Sequence, residues 1–175
     1  MRRLLLLRHA KSERSLPGGR DHDRILTSRG REDAAKLGAY MVRHALVPER
    51  VIVSTSARTR ETWDLVASAF AAAPPAVYDE RIYEAAPQAI LKVIKECEAE
   101  VQTLLIVGHN PGLQEFAALL IASGDVEARQ RLNEIFPTAG LVVINFALDD
   151  WARLHPHAGR LDLFVSPRSL AAATD

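Results

Sequence analysis

The apolar positions of this chain fall into short runs that polar residues close abruptly. Residues 4–7 are four leucines, and Arg8-His9-Ala10-Lys11-Ser12 follows them. Residues 51–53 run into Ser54-Thr55-Ser56-Ala57-Arg58-Thr59, and residues 103–107 into Gly108-His109-Asn110-Pro111-Gly112. Runs this short and continuous suit strands buried on both faces of a sheet. Between them the spacing is helical. Ala34, Leu37, Tyr40 and Met41 share one face of a helix expected over residues 29–45. A second helix follows the polar cluster after Val53 to about residue 72, where Pro74-Pro75 stops it. Pro87 suits the first turn of a third helix that runs to about residue 100. Asn110 suits an N-cap and Pro111 the first position of a fourth helix, ending near Gly124. Residues 76–78 form an expected short strand, and residues 141–146 and 161–165 two closing strands. The loop between those two carries Trp151 and His155-Pro156-His157.

Strands alternating with helices predict an α/β fold, a single-domain three-layer α/β/α sandwich with a mostly parallel central sheet. The domain is expected over residues 1–166. Residues 167–175 are small and polar and are expected to be a flexible tail.

Composition enters mainly by exclusion. Across 175 residues, 22 Lys plus Arg balance 22 Asp plus Glu, so no basic surface for nucleic acid is expected, although a local basic pocket is compatible. The opening apolar run is too short for a signal peptide, and no other segment reads as a membrane span. Cys97 is the single cysteine and cannot form an intrachain disulfide, which suits a reducing cytoplasm.

The three polar clusters carry the chemistry. Ligands of open α/β sheets bind at the carboxyl ends of strands, so residues distant in sequence can converge there. Convergence of these clusters gathers two imidazoles, His9 and His109, with two guanidiniums, Arg8 and Arg58. The natural ligand is a phosphoryl group, because arginine forks match phosphate oxygens and keep their charge. One imidazole can attack phosphorus while the other holds an oxygen. The attacking ring must be neutral, and neighbouring arginines favour that state by about 4 kcal/mol at ~4 Å and an effective dielectric of ~20. Asp21-His22-Asp23 offers a metal-site alternative with His9 or His109, but the arginines oppose a cation and no zinc spacing matches, so neither metal nor cofactor is expected. His155-Pro156-His157 reads as a solvated turn, His44 as a residue at a helix C-terminus, Cys97 as an inert thiol, and Trp63 and Trp151 as packing residues. Thr27 and Gly30 read as the shape of a helix entry.

At these residues the chain resembles the histidine phosphatase superfamily, which includes the cofactor-dependent phosphoglycerate mutases. Leu7-Arg8-His9-Ala10 is similar to its "RHG" signature, the span from Ser54 to Thr62 to its Ser-x-x-x-Arg-Ala-x-x-Thr motif, and Gly108-His109-Asn110 to its second histidine motif. Asp79-Glu80-Arg81-Ile82-Tyr83 resembles the segment that supplies the family's acid. The resemblance implies a phosphoglycerate mutase-like fold, His9 as nucleophile, Arg8, Arg58 and His109 as the rest of the phosphate pocket, and Glu80 as proton donor, with Glu84 and Glu61 as rivals. Ala10 replaces the usual glycine, as in the branch of small phosphohistidine phosphatases. Asp23 to Gly30 is similar to that branch's R-x-L-T-x-x-G segment. The resemblance thus implies a metal-independent phosphatase that passes through a phosphohistidine on His9. Its partners would be a phosphorylated protein or a small phosphorylated substrate, with inorganic phosphate as product and no nucleic acid or membrane partner. The alternatives are a small-molecule phosphomonoesterase, a mutase, for whose extra substrate loops the chain is short, and a non-catalytic phosphoprotein-binding module, which would not need both histidines.

Overall fold

The computed structural model describes residues 1–174, and side chains through residue 172. Its first strand, β1 (Arg2–Arg8), shows how the sequence builds the layers. Successive strand residues point to opposite faces, and all four leucines are fully buried, so two apolar layers must cover the sheet. Leu4 and Leu6 pack into one core with residues of α3 (Pro87–Lys95), α4 (Gly112–Leu120) and α5 (Val126–Glu134). Leu5 and Leu7 pack into the other with α1 (Ser28–Arg43) and α2 (Ala57–Ala67). The outcome is the expected three-layer sandwich.

The remaining strands are β2 (Arg50–Val53), β3 (Ala76–Tyr78), β4 (Thr103–Gly108), β5 (Ile121–Gly124), β6 (Leu141–Phe146) and β7 (Gly159–Val165). They lie in the order β3-β2-β4-β1-β6-β7-β5. The pairs β3-β2, β2-β4, β4-β1 and β7-β5 are parallel, whereas β6 is antiparallel to both of its neighbours. The sheet is therefore mixed, with β6 alone reversed among the described strands. Its register places Arg8 beside Gly108 and Val53 beside Val107. The polar clusters after β2, β4 and β1 thus leave three adjacent strands at the same end.

Several boundaries differ from expectation. α4 stops at Leu120, and residues 121–124, expected as its last turn, form edge strand β5 beside β7. α5, which the sequence pattern does not announce, starts after Asp125, whose carboxylate accepts from Ala128 N–H at 2.8 Å as an N-cap. α2 ends at Ala67 and α3 at Lys95, each several residues before its expected end. Pro111 rather than Asn110 occupies the cap position of α4, and Asn110 Oδ1 accepts from Gln114 N–H at 3.2 Å. The segment expected as a tail is helical over Pro167–Thr174 (α6), with Leu170 against the α1 side of the core and Ser166 Oγ accepting from Ser169 N–H. Asp175 lies outside the described residues.

The minor expectations find plain structural roles. Thr27 caps α1 by accepting from Gly30 N–H at 2.9 Å. A side chain at Gly30 would collide with the Lys11 carbonyl, so this glycine lets α1 press against the loop that leaves β1. Trp151 is buried and donates to the Val101 carbonyl at 2.7 Å. His155 and His157 are exposed. Burial and the neighbouring Glu98 push the Cys97 thiol up to about 11, which suits an inert thiol. No helix among the described residues is long and apolar enough to cross a membrane.

Candidate active site

At the shared strand end lies a cavity of about 490 Å³ lined by Arg8, His9, Lys11, Asp21, Arg24, Arg58, Glu84 and Asn110, among others. His9, directly after β1, is 7% exposed. Its Nδ1 lies 2.8 Å from the Ala10 carbonyl oxygen, which can only accept, so Nδ1 carries the proton and Nε2 keeps its lone pair. Burial, reinforced by Arg58, Arg8 and Arg24 and opposed by the Ala10 carbonyl, lowers the His9 pKa to about 4. The ring is therefore neutral at neutral pH, with the Nε2 lone pair free. Ala10 is buried in the core, and its N–H donates to Thr62 Oγ1 at 3.0 Å. Thr62 Oγ1 in turn donates to the Arg58 carbonyl at 2.7 Å, tying the His9 loop to the first turns of α2.

Arg58, in the first turn of α2, is 1% exposed. Its Nη1 donates to the Asp21 carbonyl at 2.9 Å, and its Nη2 to Asp21 Oδ2 at 3.1 Å and Glu84 Oε1 at 2.8 Å. Nη2 also lies 3.3 Å from His109 Nδ1. A guanidinium only donates, so His109 Nδ1 accepts, and the ring's Nε2–H donates to Ser54 Oγ at 2.7 Å. Burial, with the nearby His9 and Arg58, pushes His109 down to about 3. The two imidazole centroids are 5.3 Å apart. Arg8 lines the cavity and donates from Nη1 to the Phe136 carbonyl at 3.0 Å, while its buried Nε has no partner among the described residues.

Four of the five residues singled out in the sequence, Arg8, His9, Arg58 and His109, thus come together. Glu80 does not join them. It is exposed in the short 3₁₀ turn Glu80–Ile82 and is not among the residues lining the cavity. Its rival Glu84 does line it, with Oε1 3.4 Å from His109 Nδ1. Glu84 adopts φ 49°, a left-handed backbone uncommon for a non-glycine residue. Glu61, the other rival, accepts from Leu26 N–H and from Arg31 Nε, bracing α1 against α2. Asp21, weighed as a metal ligand, binds Arg58, Arg24 and Tyr83 instead, and no cluster of three His, Cys, Asp or Glu suited to a metal occurs among the described residues. Sequence reasoning missed Ser54 as the partner of His109 and Tyr83 as the partner of Asp21. Both lay within spans already singled out, Ser54 as the first residue of the Ser-x-x-x-Arg span and Tyr83 as the last of the acid segment, but neither span tells which side chain its residue meets.

The histidines make acid stability a direct test. In the unfolded chain each ring has an ordinary value near 6.5, so below that pH the unfolded state takes up protons that the folded state refuses until about 4 for His9 and about 3 for His109. Stability is therefore lost as pH falls through that window, with His9 accounting for on the order of 3 kcal/mol. Urea unfolding of wild type and His9→Ala between pH 7 and pH 4 measures it. The variant is expected to lose less stability on acidification, and parallel curves would contradict the assigned burial.

The sequence and the fold are matched by relatives. Residues 4–88 match the model of the histidine phosphatase superfamily (branch 1). A Mycobacterium leprae protein is 39% identical over 168 residues, covering 93% of this chain and all of that one. The solved structure of an Agrobacterium tumefaciens protein provisionally named phosphohistidine phosphatase SixA is 31% identical, with TM-score 0.79, 95% of this chain covered and 99% of that one. A SixA protein from Nakamurella multipartitia is 28% identical, with TM-score 0.83, 95% of this chain covered and 96% of that one. Sequence motifs, sheet order and relatives of full length agree: this chain belongs to the histidine phosphatase superfamily and is a phosphatase.

Proposed function

We propose that the enzyme hydrolyses phosphohistidine carried on proteins, by way of a phosphoryl group transferred to His9 Nε2. The observation that carries this reading is the His9 tautomer, with Nδ1–H committed to the Ala10 carbonyl and Nε2 left basic in a pocket rich in guanidinium. Nε2 attacks phosphorus in line as the bond from phosphorus to the leaving imidazole breaks, and the leaving nitrogen takes a proton from water. Arg8 and Arg58 neutralise the oxygens in flight, while His109 stands beside Arg58. Water then attacks phosphorus, the bond to Nε2 breaks, inorganic phosphate departs and the neutral ring returns. The Ala10 carbonyl stabilises the positive charge that the ring carries while phosphorylated. The arginines supply the charge neutralisation for which other phosphatases use a metal, so the reading requires no divalent ion. The names of the SixA relatives support a phosphohistidine substrate, and the lone thiol of Cys97 suits the cytoplasm.

Glu84 gives weight to a second reading, a phosphomonoesterase. An alkoxide is a poor leaving group, and a positioned acid contributes roughly 10²- to 10⁴-fold, whereas a phospho-imidazole bond is labile without one. We assign the donor role to Glu84 rather than Glu80, because Glu84 reaches the pocket. Comparing kcat/KM for a phosphohistidine protein and a panel of sugar and glycerate phosphates separates the readings, and Glu84→Gln and Glu80→Gln are measured in parallel. The protein substrate is expected to be preferred by at least about 100-fold, with Glu84→Gln costing alkyl phosphates far more than phosphohistidine. Preference for a small ester would overturn the first reading, and a selective loss in Glu80→Gln would overturn the donor assignment.

A further inference from the structure

Arg58 has two anionic neighbours, and they hold it differently. Glu84 touches Nη2 alone. Asp21 takes both arms of the fork, Nη1 through its main-chain carbonyl and Nη2 through its carboxylate. Asp21 is itself fixed, because its carboxylate accepts from the Tyr83 hydroxyl and, at 2.9 Å, from Arg24 Nε. The Tyr83 ring stands edge-on to His109, with centroids 5.3 Å apart, and to His22, 4.9 Å apart. His22 Nε2 meets Thr55 Oγ1 at 2.9 Å. The loop after β1, the segment after β3 and the start of α2 are thus joined through Asp21. Its carboxyl is held down at about 2, chiefly by the Tyr83 hydroxyl with help from Arg58, so the anion persists at ordinary pH.

We propose that Asp21 is a positioning residue for phosphoryl transfer, fixing the plane of the Arg58 guanidinium so that a phosphoryl oxygen can replace Glu84 at Nη2 without the fork turning. This rests on the reading of Arg58 as a phosphoryl ligand. A guanidinium bound on one arm can swivel, and misplacement by about 1 Å can cost on the order of 10²-fold in rate. Asp21 also contributes a negative charge at the edge of a site that must take an oxyanion. Its two effects on the reaction therefore oppose each other: orientation favours the transition state, and charge disfavours anion binding in general.

That opposition gives a test. In Asp21→Asn, kcat for an aryl phosphate should fall about 10- to 100-fold, while the inhibition constants of vanadate and inorganic phosphate stay level or fall. A merely structural role would loosen the pocket and raise those constants as kcat falls. Asp21→Glu, which restores the charge, should recover part of kcat. Tyr83→Phe keeps the charge but frees Asp21 on one side, and should lower kcat several-fold with phosphate inhibition unchanged. It decides the matter if Asp21→Asn does not fold. An Asp21→Asn kcat within about twofold of wild type, inhibition constants rising in step with the loss, or wild-type kcat in Tyr83→Phe would each overturn the proposal. Arg58→Ala, assayed alongside, separates the two layers: its inactivity beside a fully active Asp21→Asn leaves the Arg58 reading standing and removes only this inference.

Discussion

His9→Ala is expected to lower kcat by at least about 10⁴-fold without unfolding the protein. In the proposed reaction the imidazole is the group to which phosphorus becomes bonded, and the second imidazole of the site cannot take its place. His109 is held between Arg58 and Ser54, with Nδ1 facing a guanidinium and Nε2–H committed to a hydroxyl. Loss of a nucleophile leaves only the acceleration due to binding and electrostatics, as in other covalent catalysts. The fold should persist because the ring projects from a strand end into a cavity, while Leu4 to Leu7 carry the packing of β1. The measurement is steady-state kinetics with a melting curve on the same sample. Activity within about tenfold of wild type would remove His9 from the reaction.

Arg58→Ala is expected to lower kcat/KM by roughly 10²- to 10³-fold, as does removal of one preorganised donor to a transition-state oxyanion elsewhere. Stability falls as well. Arg58 is almost fully buried, and without it the carboxylates of Asp21 and Glu84 lose their shared cation while a cavity opens beside His109. Arg58→Lys should rescue little. A lysine carries the charge, but a single ammonium cannot reproduce a planar fork that meets the Asp21 carbonyl with one arm and the Asp21 and Glu84 carboxylates with the other. Activity close to wild type in Arg58→Lys would mean that charge alone matters. Activity and thermal unfolding, measured in both variants, separate the catalytic loss from the structural one.

The central sheet and the core of the site were legible because the same physics writes both. A strand covered on both faces must be apolar throughout, so a polar cluster directly after it marks a strand end, and three of these ends carry Arg8-His9, Ser54 to Arg58 and His109. Where that rule weakens, the pattern misleads. Ile121 continues the apolar character of α4, and only pairing with β7 turns residues 121–124 into a strand. α5 escapes notice because few of its residues are buried, Ala128 and Leu132, which leaves too thin a stripe to register as a helical period. Which glutamate reaches the pocket turns on aim rather than residue type. Glu80 and Glu84 lie four residues apart, but a 3₁₀ turn leaves the first exposed, and a left-handed backbone accompanies the second at the pocket. Asp21 stood out as a ligand, yet its partner, a guanidinium 37 positions along the chain, depends on how the loop folds back.

The most direct test of the central claim is to mix enzyme with a phosphorylated substrate, quench within milliseconds under alkaline conditions and locate the phosphate by mass spectrometry of the peptide that carries residues 8–11. Acid-labile phosphate on His9, formed and lost at rates that account for kcat and absent in His9→Ala, is the expected result. Phosphate on a serine or on Cys97, or turnover with no covalent phosphate at any time, would contradict it.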